Sequence, residues 1–143
     1  MVAGSSQTGD ILREIASEVG FETDEEGAAV IDHLNFDAVK DVDGKHTVVV
    51  ADPANLIKAP AIVGAKTPAP MLYRGTGLIV DNENPLVMEL LTASSSAYSH
   101  NPDEPITEYP HAVGKNVVLI AGLQVNLLEM NLIIHWWWKN PSF

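Results

Sequence analysis

The sequence predicts an α/β fold with a mainly parallel sheet, and three short runs carry that prediction. His46-Thr47-Val48-Val49-Val50-Ala51 is the central one, uncharged through its β-branched core and stopped at Asp52-Pro53. A strand that is apolar on both faces is usually buried on both faces, as in the parallel sheets of α/β proteins. Ala28-Ala29-Val30-Ile31-Asp32-His33 and Val117-Val118-Leu119-Ile120-Ala121-Gly122 are its expected partners.

The elements follow in order. Val2-Ala3-Gly4 reads as the end of a strand running into a turn. Ile11, Leu12, Ile15, Ala16 and Val19 then fall on one helical face, with Arg13, Glu14, Ser17 and Glu18 on the other. Thr8 or Asp10 is placed to cap the helix, Asp10 suits its positive end, and Gly20 is placed to stop it. The opening is therefore a βαβ unit lacking most of its first strand, as if the start of a domain were cut away. Asp24-Glu25-Glu26-Gly27 forms an acidic turn before the strand 28–33, and 34–45 is polar with a turn at Asp41–Gly44.

Pro53, Pro60, Pro68 and Pro70 exclude a long helix from 52–70, with a short extended piece expected around Val63. Met71–Gly75 and Leu78–Val80 read as strand pieces around a bend at Gly75-Thr76-Gly77. Leu86–Leu91 reads as strand or irregular, and 92–116 as loop punctuated by Pro102, Pro105 and Pro110. From 125 the character changes: Val125–Ile134 fits one amphipathic helix, and Trp136-Trp137-Trp138 sets three large rings in a row. A soluble domain seldom exposes such a run, and Glu129 with little positive charge argues against an interfacial anchor. The expected organisation is a partial domain over 1–124 and a divergent, non-native tail over 125–143.

Composition narrows the function classes. The 143 residues include 46% hydrophobic ones, enough for one small domain. Eight Lys+Arg against nineteen Asp+Glu give a net charge of −11, so phosphate backbones and anionic membrane surfaces would repel the chain. Without cysteine there is no thiol nucleophile, disulfide or cysteine-ligated metal. The first residues show no basic, apolar leader, and no run approaches the roughly twenty apolar residues of a spanning helix.

Several constellations bear on chemistry. Gly4-Ser5-Ser6-Gln7-Thr8-Gly9 lies where α/β proteins hold phosphates, but it lacks the P-loop lysine and the three-glycine dinucleotide pattern, so a plain βα turn is the stronger reading. Gly75-Thr76-Gly77 has Val80 where a third glycine would stand and is rejected as a dinucleotide motif. Asp32, His33 and Asp52 end two strands at the edge where open α/β sheets bind ligands. Such a trio could relay a proton or ligate a metal; polar strand-end capping is the plainer reading. His33, His46, His100, His111 and His135 show no zinc spacing. Ser94-Ser95-Ser96 lacks a nucleophile-elbow frame, and Asn140-Pro141-Ser142 is disqualified as a glycosylation acceptor by its proline.

A resemblance adds to this reading. Its first stretches are Glu18-Val19-Gly20-Phe21-Glu22 with Asp24-Glu25-Glu26, then Ala29–His33, His46–Asp52, Leu56–Pro60 and Ile62-Val63-Gly64. It continues through Leu72-Tyr73-Arg74-Gly75, Asn84–Val87, Tyr98-Ser99, Pro105–Asn116 and Leu119–Gln124. Taken in order, these resemble the family of forty-eight-kilodalton subunits of the dolichyl-diphosphooligosaccharide–protein glycosyltransferase, the oligosaccharyltransferase of the endoplasmic reticulum. The likeness runs from about residue 2 to 124 and is most specific over 105–124. It implies a partial glutamine-amidotransferase-like, Rossmann-type domain without that enzyme's chemistry, and a luminal, non-catalytic subunit supporting assembly and stability of a complex whose catalytic site lies in another subunit. It implies no catalytic, cofactor-binding or metal residue in this stretch, no cofactor, and the other subunits as partners. The family's signal peptide, first strands, later luminal domain and membrane helix have no counterpart here. Two further classes stand beside it: a sheet-edge hydrolase or transferase using Asp32, His33 and Asp52, and a glycan or lipid-head binding module using Phe21, Phe36, Tyr73, Tyr98 and Tyr109.

Overall fold

A computed structural model describes residues 4–65 and 69–124. The expected strand end at Val2-Ala3, the 125–134 helix and the tryptophan run lie outside them. The periodic segment after Gly9 forms α1 (Asp10–Glu18), entered through Gly9 without a side-chain cap. Thr8 is occupied elsewhere: its hydroxyl donates to the Ser5 carbonyl and accepts from the Ser5 N–H, each at 2.7 Å. Gly20 ends the helical run at φ +89°, its N–H donating to the Ser17 carbonyl at 3.0 Å. A side chain there would be strained and would sit 3.0 Å from Asn84 and 3.1 Å from Val87. The apolar face read from the sequence points outward, with Ile11 75% and Ile15 53% exposed.

The strands are β1 (Phe21–Thr23), β2 (Ala29–Ile31), β3 (Val49–Ala51), β4 (Met71–Tyr73), β5 (Leu78–Val80), β6 (Val87–Thr92), β7 (Tyr98–His100) and β8 (Val118–Leu123). A four-stranded sheet has the order β1-β5-β8-β6, and β2-β7 and β3-β4 form two-stranded pairs. The α/β class holds, but the mainly parallel sheet does not: every strand pair among the described residues is antiparallel. Parallel neighbours need a long crossover, usually a helix. Between β2 and β8 the described residues offer only a single-turn helix, α2 (Pro60–Val63), and two 3₁₀ turns, Pro53–Asn55 and Gly114–Asn116. Short strands joined by loops fold back on their neighbours instead.

Two local expectations change for identifiable reasons. Val63 ends α2 rather than an extended piece, because Pro60 opens the turn and Gly64 at φ +83° closes it. Leu86–Leu91 resolves into strand β6, paired along β8 with a register shift near Leu91. The core gathers Val30, Val49, Ala51, Leu91, Ala93, Ala97, Ala112, Val117 and Leu119. Gly77 lets its layers close, since a Cβ there would lie 2.9 Å from Val117 Cγ1 and 3.4 Å from Val30 Cγ2. Gly75-Thr76-Gly77 is thus a packing element, with the Gly75 carbonyl accepting from the Val30 N–H at 2.9 Å.

Candidate functional site

The polar edge at the end of β2 is the densest side-chain network among the described residues. Asp32 is 1% exposed and carries no cationic partner within the network. Its Oδ1 accepts from the Leu34 N–H at 2.9 Å, the Asn35 N–H at 3.0 Å and the Ser96 hydroxyl at 2.8 Å. Its Oδ2 accepts from Asn35 Nδ2 at 3.1 Å and from the Ser94 hydroxyl. Burial pushes the Asp32 carboxyl up, but the Ser94, Leu34, Ser96 and Asn35 hydrogen bonds outweigh it and hold the group below its ordinary value. With both oxygens engaged by donors, Asp32 anchors the turn 94–96 to the end of β2.

His33 leaves that network and joins another. Its Nδ1 lies 2.5 Å from His46 Nδ1, and its Nε2 lies 2.8 Å from the Tyr98 hydroxyl. His46 stacks on Phe36 with ring centroids 4.0 Å apart. Its backbone is left-handed, at φ 57°, a conformation held by Asp41. The Asp41 carboxylate accepts from the N–H groups of His46 at 2.8 Å, Thr47 at 3.0 Å and Val48 at 3.4 Å. Burial raises the Asp41 carboxyl, and these amides together with the nearby His46 bring it below its ordinary value. The nest is built by the polar segment 34–45, whose turn residues the sequence marked without showing where they converge.

Asp52 does something separate. It accepts from the Ala54 N–H at 2.8 Å and caps the 3₁₀ turn Pro53–Asn55. Asn55 then reaches the Ala93 carbonyl at 3.3 Å, beside Ser94. The shared edge expected from the sequence does not form: β2 and β3 belong to separate strand pairs, so Asp32 and His33 end one and Asp52 the other, and among the described residues the three take different partners and form no relay or ligand set. Ser94 faces the Asp32 carboxylate and Ser96, and no imidazole among the described residues hydrogen-bonds to it. Sequence reasoning missed Asn35 and named Ser94, Ser96 and Asp41 without their roles; only the turn propensities of Asn, Ser and Asp hinted at local capping.

Two clefts flank this edge. One, of about 500 Å³, contains Ser5, Ser6 and Gln7 of the glycine-flanked turn with Lys45 and Arg74. Each cation is already paired, Lys45 with Asp103 and Arg74 with Asp43 at 3.3 Å. Those pairs balance the charge a phosphate would need. The other, of about 270 Å³, is lined by Asp24, Glu25, Glu26, Glu104 and Glu108. Of the aromatic residues, Phe36 lies on His46, Tyr98 bonds His33, Tyr73 packs against the core with its hydroxyl donating to the Thr76 carbonyl at 2.6 Å, and Tyr109 is exposed along the second cleft. Burial pushes the Tyr73 hydroxyl up to about 12.

Comparison with known proteins gives a consistent result. The sequence pattern of the family described as OST48, N-terminal domain, matches residues 1–127. The chain is similar to the 48 kDa subunit of the dolichyl-diphosphooligosaccharide–protein glycosyltransferase from Danio rerio, with 60% identity over 124 residues. The subunit of the same name from Drosophila melanogaster is 59% identical over 128 residues, and that from Caenorhabditis elegans 42% over 125. Each match covers 87% of this chain and 28% of the relative, so the chain spans little more than a quarter of the curated relatives' length.

Proposed function

The chain belongs to the OST48 N-terminal domain family, and from that premise we propose that it serves an oligosaccharyltransferase as a non-catalytic, structural part. The complex transfers a preassembled glycan from dolichol pyrophosphate to asparagine in N-x-S/T sequons. This chain's contribution is to assembly and stability, through contacts with the other subunits, the catalytic one among them. Its place is the luminal side of the endoplasmic reticulum membrane. The observation that carries the reading is the 60% identity to a subunit of that complex over nearly the whole described chain. The engagement of Asp32 by five donors supports the non-catalytic assignment, because a saturated carboxylate has no lone pair aimed at a substrate. No helix among the described residues is long and apolar enough to cross a membrane. Residues 1–124 act as a partial amino-terminal domain, and 125–143 as a divergent tail beyond it.

Two experiments test this. A tagged full-length relative should co-purify with the other oligosaccharyltransferase subunits, and a relative carrying this chain's 4–124 in place of its own segment should do the same. Failure of the unmodified relative to associate would sink the proposal. Alanine at the positions of Asp32, His33 and Asp52, tested together in the relative, should leave glycan transfer per assembled complex unchanged. A large loss of transfer in complexes that still assemble would instead favour the sheet-edge enzyme.

A further inference from the structure

We propose that His33 and His46 form a one-proton latch, relayed to Tyr98, which holds the loop 34–45 closed and opens when a second proton binds. The proposal rests on geometry and stands apart from the family assignment. Two imidazole nitrogens face each other at 2.5 Å, with the rings edge-on and their centroids 4.8 Å apart. On the far side of the His33 ring, Nε2 meets the Tyr98 hydroxyl at 2.8 Å.

The separation selects the occupant. Zinc–nitrogen bonds of about 2.0–2.1 Å in a tetrahedral site place two ligand nitrogens roughly 3.3 Å apart. A gap of 2.5 Å is too narrow for that and suits a shared proton. Tyr98 also lies on the opposite nitrogen of His33, so it cannot complete a ligand set at the same point.

The protons can be followed atom by atom. With both rings neutral, the Tyr98 hydroxyl donates to His33 Nε2, and His33 Nδ1–H donates to His46 Nδ1. One added proton reverses the chain: His46 Nδ1–H donates to His33 Nδ1, and His33 Nε2–H donates to the Tyr98 oxygen. Every contact remains matched. A second proton has only His33 Nδ1 to occupy. Two N–H groups then face each other between two cationic rings, and the pair separates.

The surroundings favour that sequence. Asp41 accepts the His46 backbone N–H and sets a carboxylate beside that residue. The Asp32 N–H donates to the His46 carbonyl at 3.1 Å, while the Asp32 carboxylate is occupied by Ser94, Ser96, Asn35 and Leu34. Lys45, next in the chain, is engaged by Asp103, and Phe36 supplies an uncharged stacking face. Imidazole is the side chain whose charge ordinarily changes in mild acid, and Asp32 and Asp41 remain ionised there because hydrogen bonds hold both carboxyls low. Opening would part the two ends of the loop 34–45, on which Leu34, Val39 and Val42 are already exposed, while Asp41 keeps its hold on the His46, Thr47 and Val48 amides.

The test is nitrogen-15 magnetic resonance on the full 143-residue chain. A through-hydrogen-bond coupling between the two Nδ1 atoms is expected at neutral pH and should vanish in mild acid, together with a shift of the 34–46 amide signals. In His33→Gln, which cannot take a proton, the acid-induced shift of those amides should be lost. In Tyr98→Phe the neutral-pH coupling should survive, which keeps the test intact if the glutamine variant fails to fold. Absence of the coupling at every pH would overturn the latch. So would its loss on adding stoichiometric zinc at neutral pH, or loop amides that follow the same pH course in the wild type and in His33→Gln.

Discussion

Ser94 donates its hydroxyl proton to the Asp32 carboxylate across sixty-two residues of sequence. That contact ties the end of β2 to the turn leading into β7, the two strands that pair as Ala29↔His100, Val30↔Ser99 and Ile31↔Tyr98. The carboxylate acts as a knot between strand ends, and its removal should be felt as lost stability.

Asp32→Ala leaves five donors without their acceptor in a buried setting, and should cost about 2–4 kcal/mol in urea unfolding. Ser94→Ala removes one of the donors and should cost about 1 kcal/mol. Similar small losses for both variants would contradict the knot.

Acid should weaken the fold through the same groups. Asp32 and Asp41 both have folded values below the ordinary 3.8. Their contribution is therefore fully present above that value and is lost as pH falls through the lower, folded values. Unfolding midpoints measured from pH 5 to pH 2 should drop mainly below pH 3.8, and Asp32→Asn with Asp41→Asn should flatten that part of the profile.

At the alkaline end Tyr73 sets the trend. Burial raises its hydroxyl from 10.0 to about 12. The stability linked to the neutral phenol is complete below pH 10 and declines as pH rises towards 12. Tyr73→Phe should remove this decline, and a denaturant series from pH 9 to pH 12 reads the difference.

Gly77→Ala places a methyl 2.9 Å from Val117 Cγ1 in a packed core, and should destabilise by about 1–3 kcal/mol. Leu91→Ala, at the centre of the same core, should cost about 2–5 kcal/mol. Ile11→Gln and Ile15→Gln on the exposed face of α1 should stay within about 0.5 kcal/mol of the parent. Thermal melts of the four variants give the ranking directly.

Much of this was legible in the chain. The α1 helix announced itself by spacing, and Ala29–Ile31, Val49–Ala51 and Val118–Leu123 by β-branched runs. Phe21–Thr23 and Tyr98–His100 were not legible, because three-residue strands of mixed polarity owe their shape to Leu78–Val80 and Ala29–Ile31 across the ladder. The polarity of Asp32, His33 and Asp52 marked the ends of β2 and β3, which lie in separate strand pairs. Their separate partners, Ser94 and Ser96 for Asp32, His46 and Tyr98 for His33, and Ala54 for Asp52, were not marked.

By itself the sequence determined the α/β class, the main core segments and the resemblance to a glycosyltransferase subunit family, because these reside in residue order, periodicity and local composition. Tertiary structure decided that the strands pair antiparallel, that Gly77 is a packing necessity, and that Asp32 and His33, adjacent in the chain, serve different networks. The physical reason is that local sequence sets which backbone shapes are cheap, whereas hydrogen bonds between residues 61 to 65 apart exist only after distant segments have been brought together.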